Sequence, residues 1–183
     1  MLRLTQILSM CGLREWPECV SAEMREFAMN RGTMIHRATA LFDAGTLDWS
    51  SLDPRIAGFV RAYEKFRTEV GGKIEAIEHE VVSRRYGYAG RLDRVFGRSA
   101  VCAGRMVVDI KTNAADAATR LQTSGYALAY GRTARRGYVS LFEDGKYKCE
   151  AYPARDDAAD RVAWLACVAL AKWKQRRGIK ETQ

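Results

Sequence analysis

Two adjacent glycines, Gly71 and Gly72, separate two hydrophobic periods, and this change limits the folds open to the chain. Before them the apolar residues recur at helical spacing. Residues 5–10 read as a short helix capped by Thr5 and stopped near Gly12, and residues 18–30 and 33–43 as two further helices. Asp53-Pro54 has the N-cap and first-turn pattern of another helix, which runs to about Val70. After the glycines the period shortens to two. Strands are expected at 73–83, 88–97 and 105–112, joined as a meander by short turns at 85–87 and 102–104. A helix at 114–130, a hairpin of strands 137–142 and 146–152 around Asp144-Gly145, and a helix at 156–177 complete the pattern. In that last helix Val162, Leu165, Val168, Ala169 and Trp173 are the expected inward positions. Helices before and after a central sheet make a layered α/β/α domain.

The chain of 183 residues is long enough for one domain with a sizeable core, and 48% hydrophobic residues exclude a disordered composition. No uninterrupted apolar run is long enough to span a membrane, and the N-terminus is too polar for a secretory signal. Cys11, Cys19, Cys102, Cys149 and Cys167 are scattered and form no C-x-x-C pair. They read as reduced thiols of a cytoplasmic protein, which sets aside a zinc ribbon or redox motif. The formal net charge of +8 fits a polyanionic partner and equally fits a basic surface with no such role. The basic end KWKQRRGIK reads as a solvated helix end or a nucleic-acid contact.

The strands hold charges that an ordinary core strand avoids. In VVDIKT, alternation puts Val107, Asp109 and Lys111 on one face and Val108 and Ile110 on the other. In GRLDRVF it puts Arg91, Asp93 and Val95 together, opposite Leu92, Arg94 and Phe96. In EHEVV it aligns Glu78, Glu80 and Val82. Burying a carboxylate is costly unless it finds a partner. Taken singly, each residue has a plain explanation: a salt bridge for Asp109 and Lys111, a half-buried helix position for His36, an exposed strand position for His79. Taken together, carboxylates on three successive strands beside a lysine suit a hard divalent cation, with the lysine able to handle a proton or neutralise a phosphate.

These pieces resemble the PD-(D/E)XK nucleases, in particular the RecB-like and phage-exonuclease branch. RGTMIHRAT resembles that branch's G-x-x-x-H helix, EHEVVS its acidic strand, and YAGRLDRV its G-x-x-D strand with Gly90 and Asp93. VVDIKT is similar to its D-x-K strand, and LQTSGYALAY to its Q-x-x-x-Y helix with Gln122 and Tyr126. The resemblance covers residues 4–130. It implies a three-layer restriction-endonuclease-like fold with a central mixed sheet. It also implies one or two Mg2+ or Mn2+ ions held by His36, Asp93, Asp109 and the backbone carbonyl of Ile110, with Lys111 as the catalytic lysine. Glu78 is the expected acidic-strand residue and Glu80 its competitor. Gln122 and Tyr126 lie beside the site as supports, and Arg91 is placed with them as a DNA or site contact.

The implied activity is a metal-dependent DNA exonuclease with little sequence preference, in phage-type recombination or DNA processing. A nicking endonuclease and a non-catalytic DNA-binding subunit on the same fold remain alternatives. DNA, linear and single- or double-stranded, is the implied substrate, with a recombination or single-strand-binding protein and further copies of the chain as partners. Some relatives carry an iron–sulfur cluster. The late cysteines here do not match its spacing, so none is expected. Nor does the chain contain a Walker-type phosphate loop.

Overall fold

The computed structural model describes residues 1–131 and 133–179; Lys180, the last residue of the basic end, falls outside them. At its centre is the expected meander: β2 (Ile74–Ser83), β3 (Tyr88–Phe96) and β4 (Met106–Lys111), paired antiparallel in that order. α4 (Ala117–Tyr130) then crosses over to bring β5 (Arg135–Leu141) parallel to β4, and β6 (Tyr147–Ala151) returns antiparallel as a hairpin. The sequence pattern gave no sign of β1 (Leu2–Arg3), which pairs parallel with Tyr88 and Ala89. Two residues carry too little periodicity to register as a strand. The result is a six-stranded mixed sheet.

Helices cover both faces. α1 (Leu4–Met10), α4 and α5 (Asp157–Arg176) lie over one, where Ile7, Leu8, Leu92, Val95, Val107 and Trp164 are buried. α2 (Ala22–Asp43) and α3 (Pro54–Val70) lie over the other, with Ile35, Phe59, Phe66, Phe96, Val108 and Ile110. Val107 faces one layer and Val108 and Ile110 the other, as strand alternation requires. The chain therefore has the three-layer α/β/α architecture around a mixed sheet. Among the described residues no helix is long and apolar enough to cross a membrane.

The local signals held where the chemistry was unambiguous. Asp53 accepts a hydrogen bond from the Arg55 amide at the start of α3, and Gly71, at φ 66°, ends it. Three details differ from expectation. Thr5 does not cap α1; the helix starts at Leu4, with Arg3 before it and no side-chain cap. The helices expected at 18–30 and 33–43 are a single helix, α2, capped by Ser21, which accepts from the Met24 amide. Gly32 costs only about 1 kcal/mol in a helix interior, too little to break 22 residues. On α5 the buried stripe is Trp164, Val168 and Ala171, whereas Val162, Ala169 and Trp173 point to solvent. The stripe is set by Trp164, whose ring meets Tyr88 edge-on at 5.1 Å, worth about 0.5–1.5 kcal/mol beyond burial.

Gly125 holds α4 against its neighbours. A Cβ there would lie 2.7 Å from both Leu4 Cδ1 and Trp164 Cε2, two fully buried side chains. Its carbonyl accepts a hydrogen bond from the Tyr88 hydroxyl at 2.8 Å. Gly-to-Ala ordinarily stabilises a helix interior, but here overpacking outweighs the gain. Gly125→Ala is therefore expected to destabilise by about 1–3 kcal/mol, read as a lower urea midpoint at unchanged m. A raised midpoint would show that this contact has room to spare.

Candidate active site

The expected alternation fails at one place in β3. Leu92 and Val95, three residues apart, both enter the core under α1, α4 and α5. Arg94 and Phe96 turn to the α2–α3 side, so Leu92 does not share a face with them as expected. The partner strand is irregular at the same level. Glu78 sits at φ 45°, the one non-glycine residue in the left-handed region among those described, and the paired register passes over Glu78 and Asp93. Such a conformation costs of order 1–3 kcal/mol and persists only where the surroundings over-determine it.

The distortion brings three elements to one point. His36 Nδ1, from α2, lies 3.5 Å from Asp93 Oδ1 and 3.7 Å from Glu78 Oε1. One ligand atom from each of the three falls within 4.8 Å of the others. Asp93 Oδ2 turns away and accepts the Ile110 amide at 2.6 Å, which ties β3 to β4 beyond the end of their ladder. Asp109 lies on β4 and is buried. Lys111 Nζ is 2.8 Å from its Oδ2, an ion-pair distance, but the angle is not that of a hydrogen bond, so Oδ2 keeps an unused lone pair. Lys111 instead donates to Gln122 Oε1 at 3.0 Å, and Gln122 Nε2 donates to the Tyr126 hydroxyl at 3.1 Å. Both of those side chains rise from α4 one turn apart. Gly90 lets Tyr126 lie on β3: a Cβ there would be 2.8 Å from the ring.

Charge and burial set opposite tendencies in the two aspartates. Burial disfavours ionisation of Asp93, but His36, the Ile110 amide and Lys111 outweigh it and hold the carboxyl below its ordinary range. Burial pushes Asp109 up, and the Asp93 charge adds to this beyond what Lys111 returns. Burial also opposes a charged His36. The carboxylates of Asp93 and Glu78 prevail and push it up to about 10. The two carboxylates thus favour the charged form of the His36 imidazole between them. A divalent cation in place of that charge suits the donor set of one imidazole nitrogen and two carboxylate oxygens.

No protein-family model and no curated protein matches this chain. Among solved structures, a protein from Eubacterium rectale, provisionally named an exonuclease, aligns over 98% of this chain and 82% of its own. The identity is 7% and the TM-score 0.53. The two share a fold. Two structures of an alkaline exonuclease from Laribacter hongkongensis, one in complex with dAMP, align over 97% of this chain and 92% of theirs. Their identity is 13%, with TM-scores of 0.43 and 0.44.

The structure brings His36, Glu78 and Asp93 together, and sets Asp109, Lys111, Gln122 and Tyr126 beside them. It leaves out Glu80, which pairs at 3.4 Å with Arg91 on the exposed side of the sheet. The two glutamates therefore separate, and Arg91 is not at the cluster. Sequence reasoning missed Arg94. An arginine amid Leu92, Val95 and Phe96 is as anomalous as Asp93, and that signal was present in the stretch.

The cluster yields a pH signature. Because His36 in the metal-free fold lies above its ordinary value of 6.5, its stabilising charge is complete below that pH and is lost as pH rises towards about 10. NMR of the imidazole in metal-free protein is expected to show the charged form throughout the neutral range. Titration near 6.5 would mean that Asp93 and Glu78 do not hold the proton.

Proposed function

We propose that this protein is a divalent-metal-dependent DNA nuclease of the PD-(D/E)XK type, in the RecB-like and phage-exonuclease branch, acting from DNA ends with little sequence preference. The observation that carries the reading is the meeting of His36, Glu78 and Asp93 ligand atoms within 4.8 Å, next to the Asp109–Lys111 pair on the adjoining strand. The fold shared with the Eubacterium rectale protein, provisionally named an exonuclease, agrees with it.

His36, Glu78, Asp93 and Asp109 are the side chains that would hold Mg2+ or Mn2+, with the Ile110 carbonyl in reach by the family pattern. Bound there, the cation supplies positive charge to the scissile phosphate and a water that is nucleophilic at neutral pH. The protein's own groups do the rest. Lys111, an ammonium beside Asp109, offsets charge gathering on the phosphate oxygens. Gln122 fixes where the Lys111 ammonium sits, and Tyr126 fixes Gln122. The net charge of +8 draws the phosphate backbone without reading bases, which suits an enzyme indifferent to sequence. In this reading the protein works in the cytoplasm of a bacterial host on linear DNA, in recombination or DNA processing, with processivity supplied by a partner protein or by further copies of the chain.

Digestion of end-labelled linear DNA beside closed circular DNA, with Mg2+, Mn2+ or EDTA, tests the reading. Metal-dependent loss of linear DNA alone is expected, with Lys111→Ala lowering the rate by about 100-fold or more. Cutting of circles would make the enzyme an endonuclease. No digestion by folded, DNA-binding protein would make it a binding subunit.

A second test needs no substrate. Cation binding to His36 requires the neutral imidazole, so adding Mn2+ near pH 8 is expected to release about one proton per site into a weakly buffered solution. Binding without proton release, by protein whose imidazole NMR shows the charged form at pH 8, would exclude His36 as a ligand.

A further inference from the structure

Arg94 has no solvent exposure, and its guanidinium is committed on every side. Nε donates to Asp43 Oδ2 at 2.6 Å, and Nη2 to Thr39 Oγ1 at 3.0 Å. Nη1 donates both to Glu78 Oε1 at 3.0 Å and to the Asp93 carbonyl at 2.7 Å. Asp43 is itself buried and braced, accepting from the Tyr63 hydroxyl at 2.5 Å and from Arg67 Nε at 3.0 Å. The path from α3 through Asp43 and Arg94 therefore ends on the carboxylate of the residue whose backbone is forced to φ 45°.

We propose that Arg94, anchored by Asp43, is a positioning residue that holds the Glu78 carboxylate in the cation cluster. The proposal rests on the reading of that cluster as a cation site. Arg94 touches one ligand side chain and the backbone of another through Nη1 while Nε and Nη2 hold Asp43 and Thr39; a lysine, with one nitrogen, cannot make the site contacts and the anchoring contacts together. The bland alternative is a buried ion pair that serves stability alone. The two separate on sign. A positive charge 3.0 Å from a ligand carboxylate repels a bound cation, so through its charge alone Arg94 weakens metal binding. Only a positioning role makes its loss weaken binding further.

Mn2+ affinity, read from the free-ion EPR signal at a temperature where circular dichroism shows each protein folded, decides the matter. Arg94→Lys keeps the charge and removes the fork; it is expected to bind Mn2+ about 10–100-fold more weakly. Asp43→Asn, which leaves Arg94 in place without its charged anchor, is expected to shift affinity in the same direction. It carries the test if Arg94→Lys does not fold. In a Glu78→Gln background, Arg94→Lys is expected to cost nothing further, because its effect passes through Glu78. Unchanged or tighter binding by a folded Arg94→Lys protein, or an equal loss in both backgrounds, overturns the proposal while leaving the cation site standing. Failure of the wild type to bind Mn2+ overturns the cation site, and the positioning role with it.

Discussion

Taking charges out of water at the centre of a sheet is the constraint around which this structure is arranged. Asp93, Arg94 and Asp109 are all at least nine-tenths buried, on two adjacent strands. An isolated ion there would cost several kcal/mol even after relaxation, so each must find partners or change its protonation. Arg94 solves the problem within the fold, with two carboxylates, a hydroxyl and a carbonyl around one guanidinium. Asp93 solves it through an amide and a protonated histidine. Asp109 does not solve it: one oxygen has no hydrogen bond, and burial pushes the group towards its neutral form.

That asymmetry sets the His36 cluster apart from the other ion-pair networks of the fold. The Arg120 and Arg136 pairs with Asp156, Asp157 and Asp160 are comparably dense, yet they join α4 and β5 to the start of α5 with ordinary geometry. The His36 cluster comes with a strained backbone at Glu78, an imidazole favoured in its charged form and, beside it, an Asp109 oxygen that takes no hydrogen bond. A divalent cation there would replace the imidazolium charge and give the Asp93 and Glu78 carboxylates a common counter-charge.

Much of this could be reached from the sequence, for definite reasons. The meander, the crossover helix and the hairpin follow from period and turn residues, and Asp53-Pro54 marks its helix start by local chemistry alone. Glu78, Asp93 and Asp109 stood out because ionisable groups in apolar strands are anomalous, whereas His36, on a helix, and the Gln122–Tyr126 pair came only from the family resemblance. What escaped depended on tertiary geometry. Strict alternation gave Leu92, Arg94 and Phe96 one face, and nothing local announces that the chain turns between Leu92 and Arg94. Glu78 and Glu80 are equivalent by parity, and only the backbone conformation at Glu78 separates them. On α5, Val162 and Trp173 looked as apolar as Trp164; the choice of face was made by what α1 and α4 present. Arg94 was visible but was read by its place in the pattern, when its charge was the informative property.

The break in alternation and the buried arginine belong to one device. Had β3 stayed regular, Asp93 and Arg94 would leave opposite faces, and a single residue on α2 could not meet both a carboxylate of β3 and a glutamate of β2. By turning Asp93 and Arg94 to the same side, the strand presents an acceptor to His36 and a donor to Glu78 from adjacent positions. The donor is then fixed by Asp43, seven residues after His36 and two helical turns along the same helix. One helix therefore supplies both the histidine of the cluster and the anchor of its support, so their separation is set by helix geometry and not by a loop. A cluster built this way is held to the precision of the scaffold, which is what the proposed placement of a phosphate against Lys111 requires.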